Sequence, residues 1–341
     1  MNLLVLLDMV AAGRGDAVVV QSGDETLTAN ELLEGAWAGQ KLAAGADALA
    51  YVGPNALAFP LGLFAAAAAG IPFVPLNYRL SDQQLHELLE PLGNVLVVAE
   101  GPVGAALADA GHDVTGADDF VAACRADATP GEIPGDAEAT AVLLYTSGTT
   151  SAPKAAVLRH GNLSSYVIGT VEFAAADEAD ASLVSVPPYH VAGLANLLSN
   201  LYAGRRIVYL RQFDAEEWVA TAKREQITNA MVVPTMLARI ADVLDADETG
   251  VPNLRSLSYG GARTPSTVLQ RVIKLLPEVN LTNAYGLTET SSTIAVLGPD
   301  DHRAARGGDP VAVQRLSSVG RVLPTVEVEV RDDARHAAAR R

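Results

Sequence analysis

The 341-residue chain has a single cysteine, Cys124. It cannot form an internal disulfide, and no second Cys or His stands near it at metal-ligand spacing. This argues against a disulfide-stapled scaffold and makes a reducing, cytoplasmic setting the expectation. The chain also lacks basic charge: 24 Lys and Arg stand against 40 Asp and Glu, a formal net charge of −16, with no basic stripe. Nucleic acid is therefore not an expected partner. Apolar runs of bilayer length are missing as well. Met1 to Val10 is apolar but has no basic lead and meets Asp8 too soon for a secretion signal. The Ala-rich run Leu57 to Ala69 is too short to span, so no integral membrane segment is expected. The motifs G-x-S-x-G, H-E-x-x-H and G-x-G-x-x-G are all absent.

What the chain does have is a hydrophobic share of 49%, enough for a packed core, and a length that implies a large α/β unit or several subdomains. Thr28-Ala29-Asn30-Glu31 and Ser81-Asp82-Gln83-Gln84 read as capping boxes opening helices. Strands are expected at Ala48–Val52, Ile71–Leu76, Val95–Ala99, Ala141–Tyr145, Ala181–Val186, Arg206–Leu210, Ala230–Val233 and Leu254–Tyr259. Helical stretches lie between them: one ends at Gly70, one runs near Ala192–Leu201, one is capped by Asp214, and one starts near Thr235. Thr264 is expected to cap a helix whose first residue is Pro265. Strand–helix alternation implies mostly parallel sheets with helices on their faces and ligand sites at the carboxyl ends of the strands. Ser317–Arg321 and Val326–Val330 suggest strands with no helix between them. The tail from Asp332 is basic and lacks the apolar period of a packed strand.

Four segments carry candidate chemistry. Tyr145-Thr146-Ser147-Gly148-Thr149-Thr150-Ser151-Ala152-Pro153-Lys154 follows a buried strand with hydroxyls, a glycine and a lysine. Hydroxyls and free N–H groups can ring a phosphate. The spacing is not that of a Walker loop, and alone the segment reads equally as an ordinary turn. Ala284-Tyr285-Gly286-Leu287-Thr288-Glu289-Thr290 offers a ring for stacking and a carboxylate for Mg²⁺, or simply a strand-to-loop junction. Tyr259-Gly260-Gly261-Ala262 allows close backbone approach to a flat ligand, or forms a tight turn. His190, in Pro187-Pro188-Tyr189-His190-Val191-Ala192-Gly193, alone reads as a structural histidine.

Together, in this order and at this spacing, the segments resemble the adenylate-forming superfamily of acyl-CoA synthetases, luciferases and peptide-synthetase adenylation domains. The resemblance covers nearly the whole chain. It includes Pro75-Leu76-Asn77-Tyr78-Arg79-Leu80, similar to the family's early "PLN-R" element. It implies ATP-dependent activation of a carboxylic acid to an acyl-adenylate with release of pyrophosphate, then thioester formation with coenzyme A. Thr146, Ser147, Gly148, Thr149, Thr150 and Lys154 would then hold the β- and γ-phosphates. Gly260, Gly261, Ala262, Asn283, Tyr285 and Gly286 would surround adenine. Thr288 would contact the α-phosphate and Glu289 would hold Mg²⁺. His190 would gate the acyl channel, and with Lys154, Thr288 and Glu289 it makes up the implied catalytic set. Tyr189, His190, Val191, Asn196, Val233 and Gly261 would line the acyl pocket, within a lining expected from Tyr189–Asn196, Val232–Met236 and Ser291–Ile294. That lining reads as apolar, favouring a fatty or aryl acid, and the lack of an acidic residue in 185–196 disfavours an amine substrate.

The chain departs from the family pattern in two ways. Ser151 and Ala155 stand where the phosphate loop usually has glycine. No Tyr-x-Thr-Gly-Asp motif, hinge or lysine-bearing lid follows, and the tail reads as a truncation, a frame change or an artificial end. The expected architecture is therefore α/β with two mostly parallel sheets flanked by helices over 1–310, the start of an incomplete β-barrel and an irregular tail over 311–341, and no small C-terminal lid domain. Two other functions stay open: a nucleotide- or acyl-adenylate-binding module that does not turn over, and a synthetase that loads a carrier protein.

Overall fold

The computed structural model describes residues 1–126, 128–146, 154–247 and 249–331. The chain opens with helix α1 (Leu3–Arg14), hairpin β1 (Val18–Ser22) and β2 (Glu25–Thr28), and α2 (Ala29–Leu42). Alternation follows: β3 (Ala48–Val52), α3 (Ala58–Ala69), β4 (Phe73–Pro75), α4 (Asp82–Leu89), β5 (Val95–Ala99), α5 (Pro102–Asp109), β6 (Asp113–Gly116) and α6 (Ala117–Cys124). An antiparallel pair, β7 (Thr140–Thr146) and β8 (Lys154–Arg159), precedes α7 (His160–Thr170). Then come β9 (Ala181–Val184), α8 (Val191–Ala203), β10 (Arg206–Tyr209), α9 (Ala215–Arg224), β11 (Asn229–Val232), α10 (Pro234–Asp245), β12 (Ser256–Gly260) and α11 (Ser266–Leu275). The last elements are β13 (Asn280–Leu287), a 3₁₀ turn at Thr288–Thr290, β14 (Ser292–Leu297), α12 (Pro299–Arg306), α13 (Pro310–Arg315) and β15 (Arg321–Val322).

Two sheets result, a six-stranded one in the order β6-β5-β3-β4-β7-β8 and a nine-stranded one in the order β15-β14-β13-β12-β11-β9-β10-β1-β2. Both are parallel through their centres and antiparallel only at edges. One core lies between them, where Leu49 and Tyr51 of one sheet and Val184 and Ile207 of the other meet residues of α1, α2, α3 and α8. A second core backs the nine-stranded sheet and a third backs the six-stranded one, giving five layers. Buried Asn55 ties the sheets together: its Nδ2 donates to the carbonyls of Val186 and Leu210, each at 3.1 Å, at the carboxyl ends of β9 and β10.

Local signals explain most element ends. Thr28 and Ser81 form the expected capping boxes with Glu31 and Gln84. Gly70 closes α3 at φ +70°, left-handed backbone that glycine adopts without steric cost. Asp214 caps α9 by accepting from the N–H groups of Glu216 and Glu217. The apolar start is core: Leu3, Leu4, Leu6, Leu7 and Val10 of α1 are buried. Among the described residues no helix is long and apolar enough to cross a membrane.

Three expectations need correction. Thr264 does not cap α11; the helix begins at Ser266, Pro265 occupies the cap position, and the Thr264 hydroxyl is buried without a partner among the described residues. Ser317–Arg321 is mostly turn, and only Arg321–Val322 pairs, at the edge of β14. Val326–Val330 forms no strand; Val328 and Val330 face solvent, so no core fixes a register there.

Candidate functional site

The phosphate-loop candidates sit on one hairpin. β7 and β8 pair antiparallel with Thr146 opposite Lys154, and the Thr146 hydroxyl donates to the Lys154 carbonyl at 3.3 Å. Ser147, Gly148, Thr149 and Thr150 lie outside the described residues, as does the Ser151 departure. Tyr145 anchors the strand: its hydroxyl donates to Leu88 O at 3.1 Å, and burial raises its pKa. Lys154 is exposed. β8 runs beside the Thr288–Thr290 turn, so Lys154, Thr288 and exposed Glu289 belong to one neighbourhood.

A second group converges at the ends of β12 and β13. The two strands run parallel in register, Tyr259 beside Asn283 and Gly260 beside Ala284. The approach is so close that a Cβ on Gly260 would stand 2.2 Å from the Ala284 carbonyl, while Gly261 turns the chain at φ +83°. A cavity of about 320 Å³ opens there, lined by Gly261, Ala262, Asn283, Tyr285 and Gly286 among others. Its back is braced by a network that the sequence did not reveal. Nδ1–H of His302 donates to Gly298 O at 2.7 Å, which leaves Nε2 to accept from the buried Tyr259 hydroxyl at 2.8 Å. Desolvation lowers the His302 pKa, consistent with this neutral form. The walls missed in the sequence are Arg263, Thr264 and Leu316–Val319. The last of these were expected to start a barrel, and nothing local marks them as cavity lining.

Tyr285 is 41% exposed and faces the cavity without covering, and Thr264 Oγ1 is an orphaned buried hydroxyl. Beyond the cavity the backbone is held in costly conformations: Ser291 and Ser292 have φ of 58° and 110°, directly after the turn that carries Thr288 and Glu289. Gly286 makes this fold-back possible, since a Cβ there would lie 1.7 Å from Ser292 O.

His190 occupies the cap position of α8, at the carboxyl end of the nine-stranded sheet. Gly193 permits the tight turn before it; a Cβ there would meet Pro187 O at 2.8 Å. The His190 ring lies 4.6 Å from that of Tyr189, whose hydroxyl accepts from Arg79 at 3.1 Å. His190 is open to solvent, yet partial desolvation and then the Arg79 cation hold its pKa below the ordinary imidazole range. It is therefore neutral at physiological pH. The acyl-pocket candidates divide. Tyr189 and His190 sit together, and Val233 Cγ1 lies 3.6 Å from where a Gly261 Cβ would be. Asn196 instead faces a separate groove of about 550 Å³ that also takes in Ser292 and Thr293. That groove is lined by hydroxyls and amides as well as apolar groups.

Among the described residues no three His, Cys, Asp or Glu side chains converge on a metal position. The model of the AMP-binding enzyme family matches residues 7–339. The chain belongs to the AMP-binding enzyme family. Within the family, a feruloyl-CoA synthase from an Amycolatopsis species is 31% identical over 261 residues, 74% of this chain and 51% of that protein. The fatty acid–[acyl-carrier-protein] ligase ScoC of Streptomyces coeruleorubidus is 30% identical over 270 residues, 75% of this chain and 51% of that protein. The chain spans about half the length of these curated relatives. In fold it is similar to Bacillus subtilis o-succinylbenzoate CoA synthetase (MenE) in complex with its acyl-adenylate intermediate. The TM-score is 0.83 at 24% identity, over 98% of this chain and 66% of that one. It is similar also to the N-terminal domain of FACL13 from Mycobacterium tuberculosis, with a TM-score of 0.86 at 23% identity, over 99% and 86% of the two chains.

Proposed function

We propose that this chain binds ATP and a carboxylic acid and joins them as an acyl-adenylate, the first half of an AMP-forming acid–thiol ligase reaction. The observation that carries the proposal is the convergence at one sheet end: the Gly261, Asn283 and Tyr285 cavity, the Thr288–Glu289 turn, and the β7–β8 hairpin beside it. In this proposal adenine enters the cavity against Tyr285. The Thr146–Lys154 hairpin holds the β- and γ-phosphates, and Thr288 contacts the α-phosphate. A carboxylate oxygen of the acid attacks the α-phosphorus, the bond to the bridging oxygen breaks, and pyrophosphate leaves. Acid and triphosphate are both anions, so catalysis consists mainly of positioning them and neutralising charge. Mg²⁺ would supply charge at the phosphates. Glu289, exposed on the turn beside β8, would hold it. His190, neutral and beside Tyr189, would line the path of the carboxylate without repelling or pairing with it.

The acceptor in the second half-reaction would be a thiol. Coenzyme A is supported by the name of the feruloyl-CoA synthase relative, and a carrier protein by that of the acyl-carrier-protein ligase. Calorimetric titration of the chain with ATP and Mg²⁺ tests the nucleotide site. Tyr285→Ala should weaken binding about tenfold or more through lost stacking, and Glu289→Gln should weaken it only when Mg²⁺ is present. If both variants bind ATP·Mg²⁺ like the parent, the site lies elsewhere.

A further inference from the structure

One face of the nine-stranded sheet departs from what parallel sheets buried on both sides require. Towards α9, α10 and α11 the strands present Ala230, Leu257 and Leu281, all within an apolar core. Towards α8 the alternate positions are Asn229, Ser256, Ser258 and Thr282, which line the groove of about 550 Å³. A packed layer would leave such hydroxyls unpaired at a cost; a polar ligand and water would not.

The helix side of the groove is polar too, in a connected way. Asn196 Nδ2 donates to Ala192 O at 2.9 Å. Asn200 Nδ2 donates to Asn196 O at 2.8 Å, and Arg205 Nη1 donates to Asn200 Oδ1 at 3.4 Å. This rail runs from the His190 end of α8 past its far end. Arg205 stands there, lining the groove, and its Nε is buried with no hydrogen-bond partner among the described residues. The nearby carboxylate of Asp180 is engaged by Arg255 at 3.2 Å. Burial pulls the Arg205 pKa down, yet a guanidinium keeps its proton in protein. An unpaired buried donor on a cation wants an anionic acceptor, and a carboxylate matches the guanidinium fork in two hydrogen bonds.

We propose that this groove takes the body of the acid and that Arg205 binds a second carboxylate at its far end, so that the preferred substrates are dicarboxylic acids. The inference rests on the acid-activation reading above. From the level of Ser256 to that of Gly260 is four residues of strand, about 13 Å at 3.3 Å per residue. The groove thus suits an extended acid with carboxylates at both ends, one at the strand carboxyl ends near His190 and one at Arg205. An alkyl tail of the same length would leave the Arg205 Nε–H desolvated and unpaired.

The test is calorimetric binding of matched pairs to the chain in the presence of ATP and Mg²⁺: suberate against octanoate, and sebacate against decanoate. The parent should prefer the dicarboxylate of a pair at least tenfold. Arg205→Met should abolish the preference by weakening dicarboxylate binding at least tenfold, with monocarboxylate binding no weaker than in the parent, and Arg205→Lys should restore part of the preference. Equal binding of both classes by the parent, or a preference that survives in Arg205→Met, overturns the assignment of Arg205 and leaves the activation reading standing. If neither class binds while ATP does, both fall. Should Arg205→Met fail to fold, the parent's preference and the Arg205→Lys variant decide.

Discussion

In the six-stranded sheet, β3 and β5 bury every residue they have, on both faces. In the nine-stranded sheet, β12 alternates half-buried Ser256 and Ser258 with buried Leu257 and Tyr259, and β11 does the same with Asn229, Ala230, Met231 and Val232. Both are parallel, helix-flanked sheets of similar strand length. The central strands β3 and β5 of the first are filled on both sides and hold position, while its β7–β8 edge carries the hairpin with exposed Lys154. The second is packed on both sides at β9 and β10 but on one side only at β11 to β13, where its other face lines the groove. Asn55, reaching from the loop after β3 to the carbonyls of Val186 and Leu210, fixes the nine-stranded sheet on the six-stranded one.

The sharpest way to break this comparison is on β12, where neighbours face opposite ways. Leu257 is fully buried in the apolar core behind the sheet. Leu257→Ala should cost about 2–5 kcal/mol in stability, measured by denaturant unfolding, and a cost below about 1 kcal/mol would mean that face is not packed as described. The layer between the sheets gives the next effect. Buried His160 accepts at Nδ1 from the Leu3 N–H at 3.2 Å, and burial lowers its pKa from 6.5 to about 4. The unfolded chain binds this proton more readily. The contribution of His160 is therefore full above pH 6.5 and declines as pH falls towards 4, by about 3 kcal/mol at 1.36 kcal/mol per pKa unit. Unfolding free energies at pH 7, 5 and 4 should show His160→Gln losing that part of the acid sensitivity; an unchanged pH slope would contradict it. The smallest effect is expected one residue along β12. Ser258→Ala should shift stability by no more than about 0.5 kcal/mol, and a loss near that of Leu257→Ala would show the polar face to be packed core.

Much of the scaffold was legible because its signals are local. Ala48–Val52 and Val95–Ala99 are strands with the expected limits, and the caps at Thr28, Ser81 and Asp214 needed only a side chain and the next turn of backbone. The groups around the cavity were legible by motif: Gly261 and Ala262 meet Asn283–Gly286 there, and Gly260 pairs with Ala284 behind them. What was not legible depends on distant partners. β1 joins the nine-stranded sheet only by pairing with β10, far along the chain. Tyr259 gains its brace from His302, and Leu316–Val319 become a cavity wall, only after the chain has folded back past β14. The groove behind Asn196 was not legible because Ser, Thr and Asn at alternate positions do not announce which face a helix will cover. Thr264 misled because a good cap residue before Pro265 is no cap when the helix starts one residue later.

Acid-dependent exchange of pyrophosphate into ATP tests the central claim most directly, since it reports formation of the acyl-adenylate and nothing beyond it. With Mg²⁺ and the acid pairs above, exchange should rise over the acid-free rate, should rise most with the dicarboxylates, and should fall at least tenfold in Tyr285→Ala. ATP binding without acid-stimulated exchange for any acid in the panel would contradict the activation reading.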